Sequence, residues 1–142
     1  MNKTTSIIVG IIVVAVVVVG AVFLSRNKNN PASTGNNSTV TSTGRTVTVS
    51  YDGSSFSPSL QTVNKGDTVK FVNNSSANMW VASDPHPLHN GYPTTGGCVA
   101  STFDACTNIT PGNSFSFQFD IVGSWGYHNH LNPAQKGTIV VQ

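Results

Sequence analysis

Glutamate is absent from the 142-residue chain, and only 8% of its residues carry charge. The formal net charge of +2 is unevenly spread, because Lys3, Arg26, Lys28 and Arg45 all precede residue 46. From Thr46 to Gln142 three lysines face five aspartates, a net of −2. That balance excludes a nucleic-acid partner, which a basic patch or stripe would mark. No internal repeat occurs, and no helical period follows residue 45. No strand-to-helix nucleophile elbow is present, so Ser-His-Asp hydrolysis has nothing to stand on. Cysteine is limited to Cys98 and Cys106, and neither lies near the amino terminus, where it would accept a lipid.

What the chain does have is sharply zoned. Ile7 to Leu24 is a run of 18 residues without a charged or strongly polar side chain. About 18 apolar residues suffice to cross a bilayer. In hydrocarbon a helix alone pairs every backbone group of a single segment, which overrides the poor helix propensity of its valines and isoleucines. Residues 1–25 therefore read as a transmembrane anchor, with a cleaved signal peptide as the alternative. The run exceeds the usual apolar stretch of a signal peptide, and no small-x-small cleavage site follows it. Residues 26–45, rich in Asn, Ser, Thr and Gly, have almost nothing apolar to bury and read as a flexible tether.

From Thr46 onward, short alternating runs appear. Val47, Val49 and Tyr51 alternate with Thr46, Thr48 and Ser50, and Phe115, Phe117 and Phe119 alternate with Ser114, Ser116 and Gln118. This is the period of a strand with one buried face. Further runs fall at 68–72, 79–82 and 138–141, with turn signals at Asp52-Gly53, Lys65-Gly66-Asp67, Pro111-Gly112 and Gly123. Residues 46–142 thus predict an all-β domain, an antiparallel sandwich or barrel of seven to eight strands. The stretch from Asp84 to Asn113 breaks the pattern, and a loop of that length is usually functional or hides structure of its own.

Cys98 and Cys106 lie within that loop with seven residues between them. In an exported domain the default for such a pair is a disulfide. A metal-thiolate pair is the rival, although zinc motifs space their cysteines two to four residues apart. A bridge implies an oxidising compartment and places the domain outside the cytoplasm. Sequons such as those at Asn36 and Asn108 matter only in a host that glycosylates.

The four histidines fall in two tight pairs, His86 with His89 and His128 with His130. Scattered solvated histidines do not group this way, and neutral imidazole is the commonest metal ligand. On an extended strand residues i and i+2 face the same way about 6.6 Å apart, so His128 and His130 can serve one ion or two. No carboxylate pair accompanies them, and Asp84 is the only acid close in sequence. Trp80, Trp125 and Tyr127 are expected to pack. Met79 is a core residue by default and a thioether ligand if it faces the site.

The segment Val63-Asn64-Lys65-Gly66-Asp67-Thr68-Val69-Lys70-Phe71-Val72-Asn73-Asn74 resembles a strand-turn-strand unit of plastocyanin-like cupredoxins. Gly123 to His130, followed by Gly137-Thr138-Ile139-Val140-Val141, is similar to that family's last two strands and the ligand loop between them. The resemblance implies a Greek-key β-sandwich and a copper cofactor. A blue-copper centre needs two histidines, a cysteine thiolate and a weak axial ligand. On that pattern His130 takes the second histidine position and Gln135 the axial one, but Tyr127 stands at the cysteine and Met79 at the first histidine. The His-x-His segment is also similar to that of the first cupredoxin domain of multicopper oxidases, where such histidines hold non-blue copper.

The expectation is a membrane-anchored, extracytoplasmic copper-binding protein whose ion is held by His86, His89, His128 and His130 at the tip of the sandwich. Met79 and Gln135 are outer candidates. Its expected work is copper handling without enzymatic turnover. The alternatives are electron transfer to a membrane or periplasmic redox partner, a metal-free structural domain, and a small copper oxidoreductase.

Overall fold

The computed structural model describes residues 44–142. The expected anchor at 1–25 lies outside them, as does the tether except for its last two positions. Among the described residues no helix is long and apolar enough to cross a membrane.

Eight strands form in chain order: β1 Thr46–Tyr51, β2 Phe56–Ser57, β3 Leu60–Val63, β4 Thr68–Asn73, β5 Val81–Ser83, β6 Ser114–Gln118, β7 Gly123–Asn129 and β8 Asn132–Val141. They make two four-stranded sheets, ordered β2-β1-β4-β6 and β3-β8-β7-β5. The number of strands is as expected, but the sandwich is not wholly antiparallel. β1 pairs with β4 in parallel, and so does β3 with β8. The cause is connectivity: the chain leaves the first sheet after β2, lays β3 into the second and returns for β4, and a strand reached by such a crossover arrives in the same direction as its neighbour.

The alternation read from sequence decides which side chains face inward. In β1, Val49 and Tyr51 are buried, whereas Thr46 and Thr48 are exposed. Between the sheets Val49, Val69, Phe71, Phe119, Tyr127 and Ile139 are completely buried, and Met79 joins them. β8 begins at Asn132, which pairs with Asn129, and Lys136 pairs with His128; Pro133 to Gln135, expected in a ligand loop, form an irregularity in that pairing.

The long segment after β5 is part of the core and no mere covering. Its Tyr92, Phe103 and Ile109 are buried in the same cluster. The Phe103 ring lies 4.9 Å from both Phe117 and Phe119 and 5.9 Å from Phe71. Its backbone adds to the free edge of β5: Ser83 N–H donates to Phe103 O at 2.9 Å, and Ala105 N–H donates to Val81 O at 2.8 Å. Periodicity missed this because only three residues, Phe103 to Ala105, run alongside the strand, too few to show a period. The disulfide Cys98–Cys106, expected from the spacing of the pair, closes the segment just beyond that pairing.

Asp67 secures the start of the sandwich. Its carboxylate accepts from Arg45 N–H at 2.8 Å and Asn64 N–H at 2.9 Å, with the Arg45 guanidinium 3.7 Å away. The Asn64 amide above all, then that of Arg45 and its charge, holds the carboxyl below its ordinary 3.8 against the opposing effect of burial. A carboxyl depressed on folding adds stability that is complete above its unfolded value and vanishes as pH falls through the lower folded value. Asp67→Asn is expected to lower the thermal midpoint at neutral pH and to flatten its fall below about pH 4, as thermal unfolding at a series of pH values will read. Phe103→Ala, although between named strands, is expected to cost about 3–5 kcal/mol, the toll of a core position, measured by denaturant unfolding.

Candidate metal centre

Residues directly opposite one another across neighbouring strands project to the same side of a sheet. Ala82 of β5 is opposite His128 of β7, His128 is opposite Lys136 of β8, and Asp104 bridges to Ala82 from the other side. Asp104, Ala82, His128 and Lys136 therefore form a row across the second sheet. Lys136 is exposed, so the row lies on the sheet's outer face. Tyr127 and Asn129, its neighbours in β7, point inward. At Gly126, on the outer face, a Cβ would meet Asp84 Oδ2 at 2.8 Å, so glycine is what lets the Asp84 side chain lie against the strand.

The segment from Asp84 folds back over this face. Asp84 N–H donates to Gly126 O at 2.9 Å, His89 N–H to Pro85 O at 2.9 Å, and Ser101 N–H to His89 O at 3.0 Å. His89 is held at φ 51°, in the left-handed region. Non-glycine residues seldom adopt that conformation unless their surroundings require it. The outcome is that His89 turns down onto the row and is fully buried beside His128.

All four histidines meet there. One ligand nitrogen from each of His86, His89, His128 and His130 lies within 4.8 Å of the others. The His128 and His130 rings are 6.3 Å apart, close to the rise expected for alternate strand residues, and they share one cluster. The cluster sits at the end of β7, on the outside of the sheet and not between the sheets.

Contrary to the expectation that no carboxylate pair accompanies the histidines, two carboxylates set the rings, Asp84 and the sequence-distant Asp104. Asp104 Oδ2 accepts from His89 Nδ1 at 2.6 Å and Asp84 Oδ1 from His128 Nδ1 at 3.0 Å. A metal-binding histidine typically gives its second N–H to such a carboxylate, which fixes ring orientation and raises basicity. Both rings are thereby assigned the tautomer with a lone pair on Nε2. The Nε2 of His128 is buried and has no hydrogen-bond partner among the described residues, and that of His89 lies 2.9 Å from His130 Nδ1. Asp104 also accepts from Trp80 Nε1 at 2.6 Å and Cys106 N–H at 2.8 Å, and the Trp80 ring packs 4.6 Å from that of His130. Asp104 lies 15 residues from His89 in sequence, so only the fold pairs them.

Desolvation sets the charge state. Burial, reinforced by the neighbouring imidazoles of His89 and His86, lowers the His128 pKa to about 4, although Asp84 pulls the other way. Burial and the same two neighbours lower that of His130. Both rings are neutral at physiological pH, the form that binds metal.

The position where a blue site would lie is occupied otherwise. Tyr127 is wholly buried among Phe56, Phe71 and Phe103, and burial raises its hydroxyl pKa. Met79 is a core residue, its backbone bridged to Ile109. Gln135 Oε1 accepts from Tyr51 Oη and Asn129 Nδ2, both at 2.8 Å, while its Nε2 donates to Gly53 O at 3.0 Å. Gln135, expected as an outer ligand, is thus engaged in a side-chain network, and Met79 packs.

No family model matches the chain. A plastocyanin of Scenedesmus fuscus is 35% identical over 92 residues, 61% of this chain and 86% of that protein. Among solved structures, a purple cupredoxin from Nitrosopumilus maritimus superposes with a TM-score of 0.55 at 19% identity, over 68% of this chain and 99% of that one. A reduced mutant of amicyanin gives 0.54 at 19%, over 70% and 84%. Fold and sequence together define a cupredoxin-like two-sheet sandwich. The chain belongs to the plastocyanin-like cupredoxin family.

Copper is the cofactor that membership carries, and the residues present fit it. Four imidazoles form an all-nitrogen donor set suited to the cupric ion, and the unpartnered Nε2 of His128 is a buried lone pair that a cation would satisfy. Cys98 and Cys106, also close to Asp104, are joined as a disulfide and offer no thiolate. Asp84→Ala is expected to weaken copper binding about 10–100-fold, the usual range for loss of a carboxylate behind a ligand, with little change in the unfolding midpoint of the metal-free protein; competition titration and thermal unfolding measure the two.

Proposed function

We propose that the protein binds one copper ion through His86, His89, His128 and His130 and serves in copper handling outside the cytoplasm. The observation that carries this reading is the convergence of four imidazoles on one point, two of them backed by carboxylates. When bound, copper in such a set supplies a tetragonal, non-blue cupric centre. The residues of the chain hold the rings in place and keep water from two of them, His89 and His128. The disulfide supports an oxidising compartment, and the apolar run at 7–24 supports tethering to a membrane.

Electron transfer to a partner protein is the second reading. It is favoured by the kinship to a plastocyanin and by the locked His89 and His128 rings, which limit rearrangement between oxidation states.

The test is cupric titration of the protein with electron paramagnetic resonance and visible absorption, alongside a variant with both His128→Ala and His130→Ala. One tightly bound ion with a nitrogen-coordinated, non-blue spectrum, lost in the variant, is the expected result. Equal weak binding by both would leave a metal-free interaction domain. A reversible one-electron wave with fast self-exchange would favour the electron carrier over the handling protein.

A further inference from the structure

The four imidazoles are held unequally. His128 is fixed in β7 with Nδ1 on Asp84. His89 is tied by two backbone hydrogen bonds and by Asp104. His130 donates its N–H to Trp80 O at 2.7 Å and packs its ring against Trp80. His86 differs from all three. It is exposed, and its ring makes no hydrogen bond to any described residue, yet it lies 4.8 Å from the His130 ring and 5.3 Å from that of His128.

Resting on the copper reading above, we propose that His86 is the removable ligand of the site, and that its solvent-facing position is where a neutral nitrogen donor from outside, an imidazole or the histidine of an acceptor protein, takes hold of the ion. Detaching His89 or His128 would break a hydrogen bond to a carboxylate and strand buried polar groups, at the full cost of their desolvation. Detaching His86 returns its ring to water, where its nitrogens are satisfied at once. Pro85 and Pro87 restrict the backbone on either side of it, so the freed ring stays near the site and rebinds unless a competitor arrives.

The donor set selects the competitor. The rings offer nitrogen alone, and imidazole suits a cupric ion, so an incoming imidazole takes the place of the His86 ring without changing the ligand chemistry. Behind the rings Asp84 and Asp104 place two negative charges, one of them offset by Lys136 Nζ at 3.3 Å from Asp84 Oδ1.

The experiment compares the full-length protein with His86→Ala, His128→Ala and His130→Ala, by cupric competition titration and electron paramagnetic resonance without and with free imidazole. His86→Ala is expected to keep one cupric ion at least about tenfold more tightly, or 1.4 kcal/mol, than either other variant, to lose it faster to a chelator than the wild type does, and to regain the wild-type spectrum with imidazole. The proposal is overturned if His86→Ala sheds copper as completely as the other two, or if imidazole leaves its spectrum unchanged. Should the wild type itself bind no copper, the functional reading falls and this one with it, an outcome distinct from failure of the His86 variant alone.

Discussion

A buried carboxylate holds the outer face of this domain together. The Asp104 side chain is wholly inaccessible to water, a position that an anion tolerates only when donors replace its hydration. The Trp80 indole, the Cys106 amide and the His89 imidazole provide them. Each comes from a different part of the chain: the approach to β5, the disulfide and the turn that follows β5. Removing the carboxylate would leave three donors with nothing to bond. The same residue thus orders the loop and orients a ligand ring.

The sandwich was legible in the sequence because alternation is a local property. Val47, Val49 and Tyr51 announce β1, and Phe115 and Phe117 announce β6. The gathering of the four histidines was legible too, because pairing so few of them is a compositional signal. The carboxylates were not. Asp104 reaches His89 across an interval set by the disulfide loop, and Asp84 reaches His128 from 44 residues away. Such contacts carry no spacing rule. The parallel pairings of β1 with β4 and β3 with β8 were hidden for a similar reason, since strand direction depends on which sheet receives each intervening strand.

The resemblance to plastocyanin-like proteins described the scaffold better than the site. At the inward positions that would carry a blue centre, this chain has Tyr127 in an aromatic cluster and Gln135 in a network with Tyr51 and Asn129. Of its imidazoles, His128 stands on the opposite side of the strand that carries Tyr127, and His86 and His89 come from the segment after β5. A sheet has two faces, and changing residue parity along one strand moves chemistry from the interior to the exterior without altering the fold. Enclosing an exterior site then requires a cover, and the segment after β5 provides one.

Within that cover, Phe103 points into the aromatic core while its neighbour Asp104 points to the imidazoles. A slip of one residue against β5 would drive the carboxylate among phenyl rings and lift the phenyl ring into water. Both penalties attach to the same error, so the hydrophobic interior proofreads the placement of a polar group it never touches.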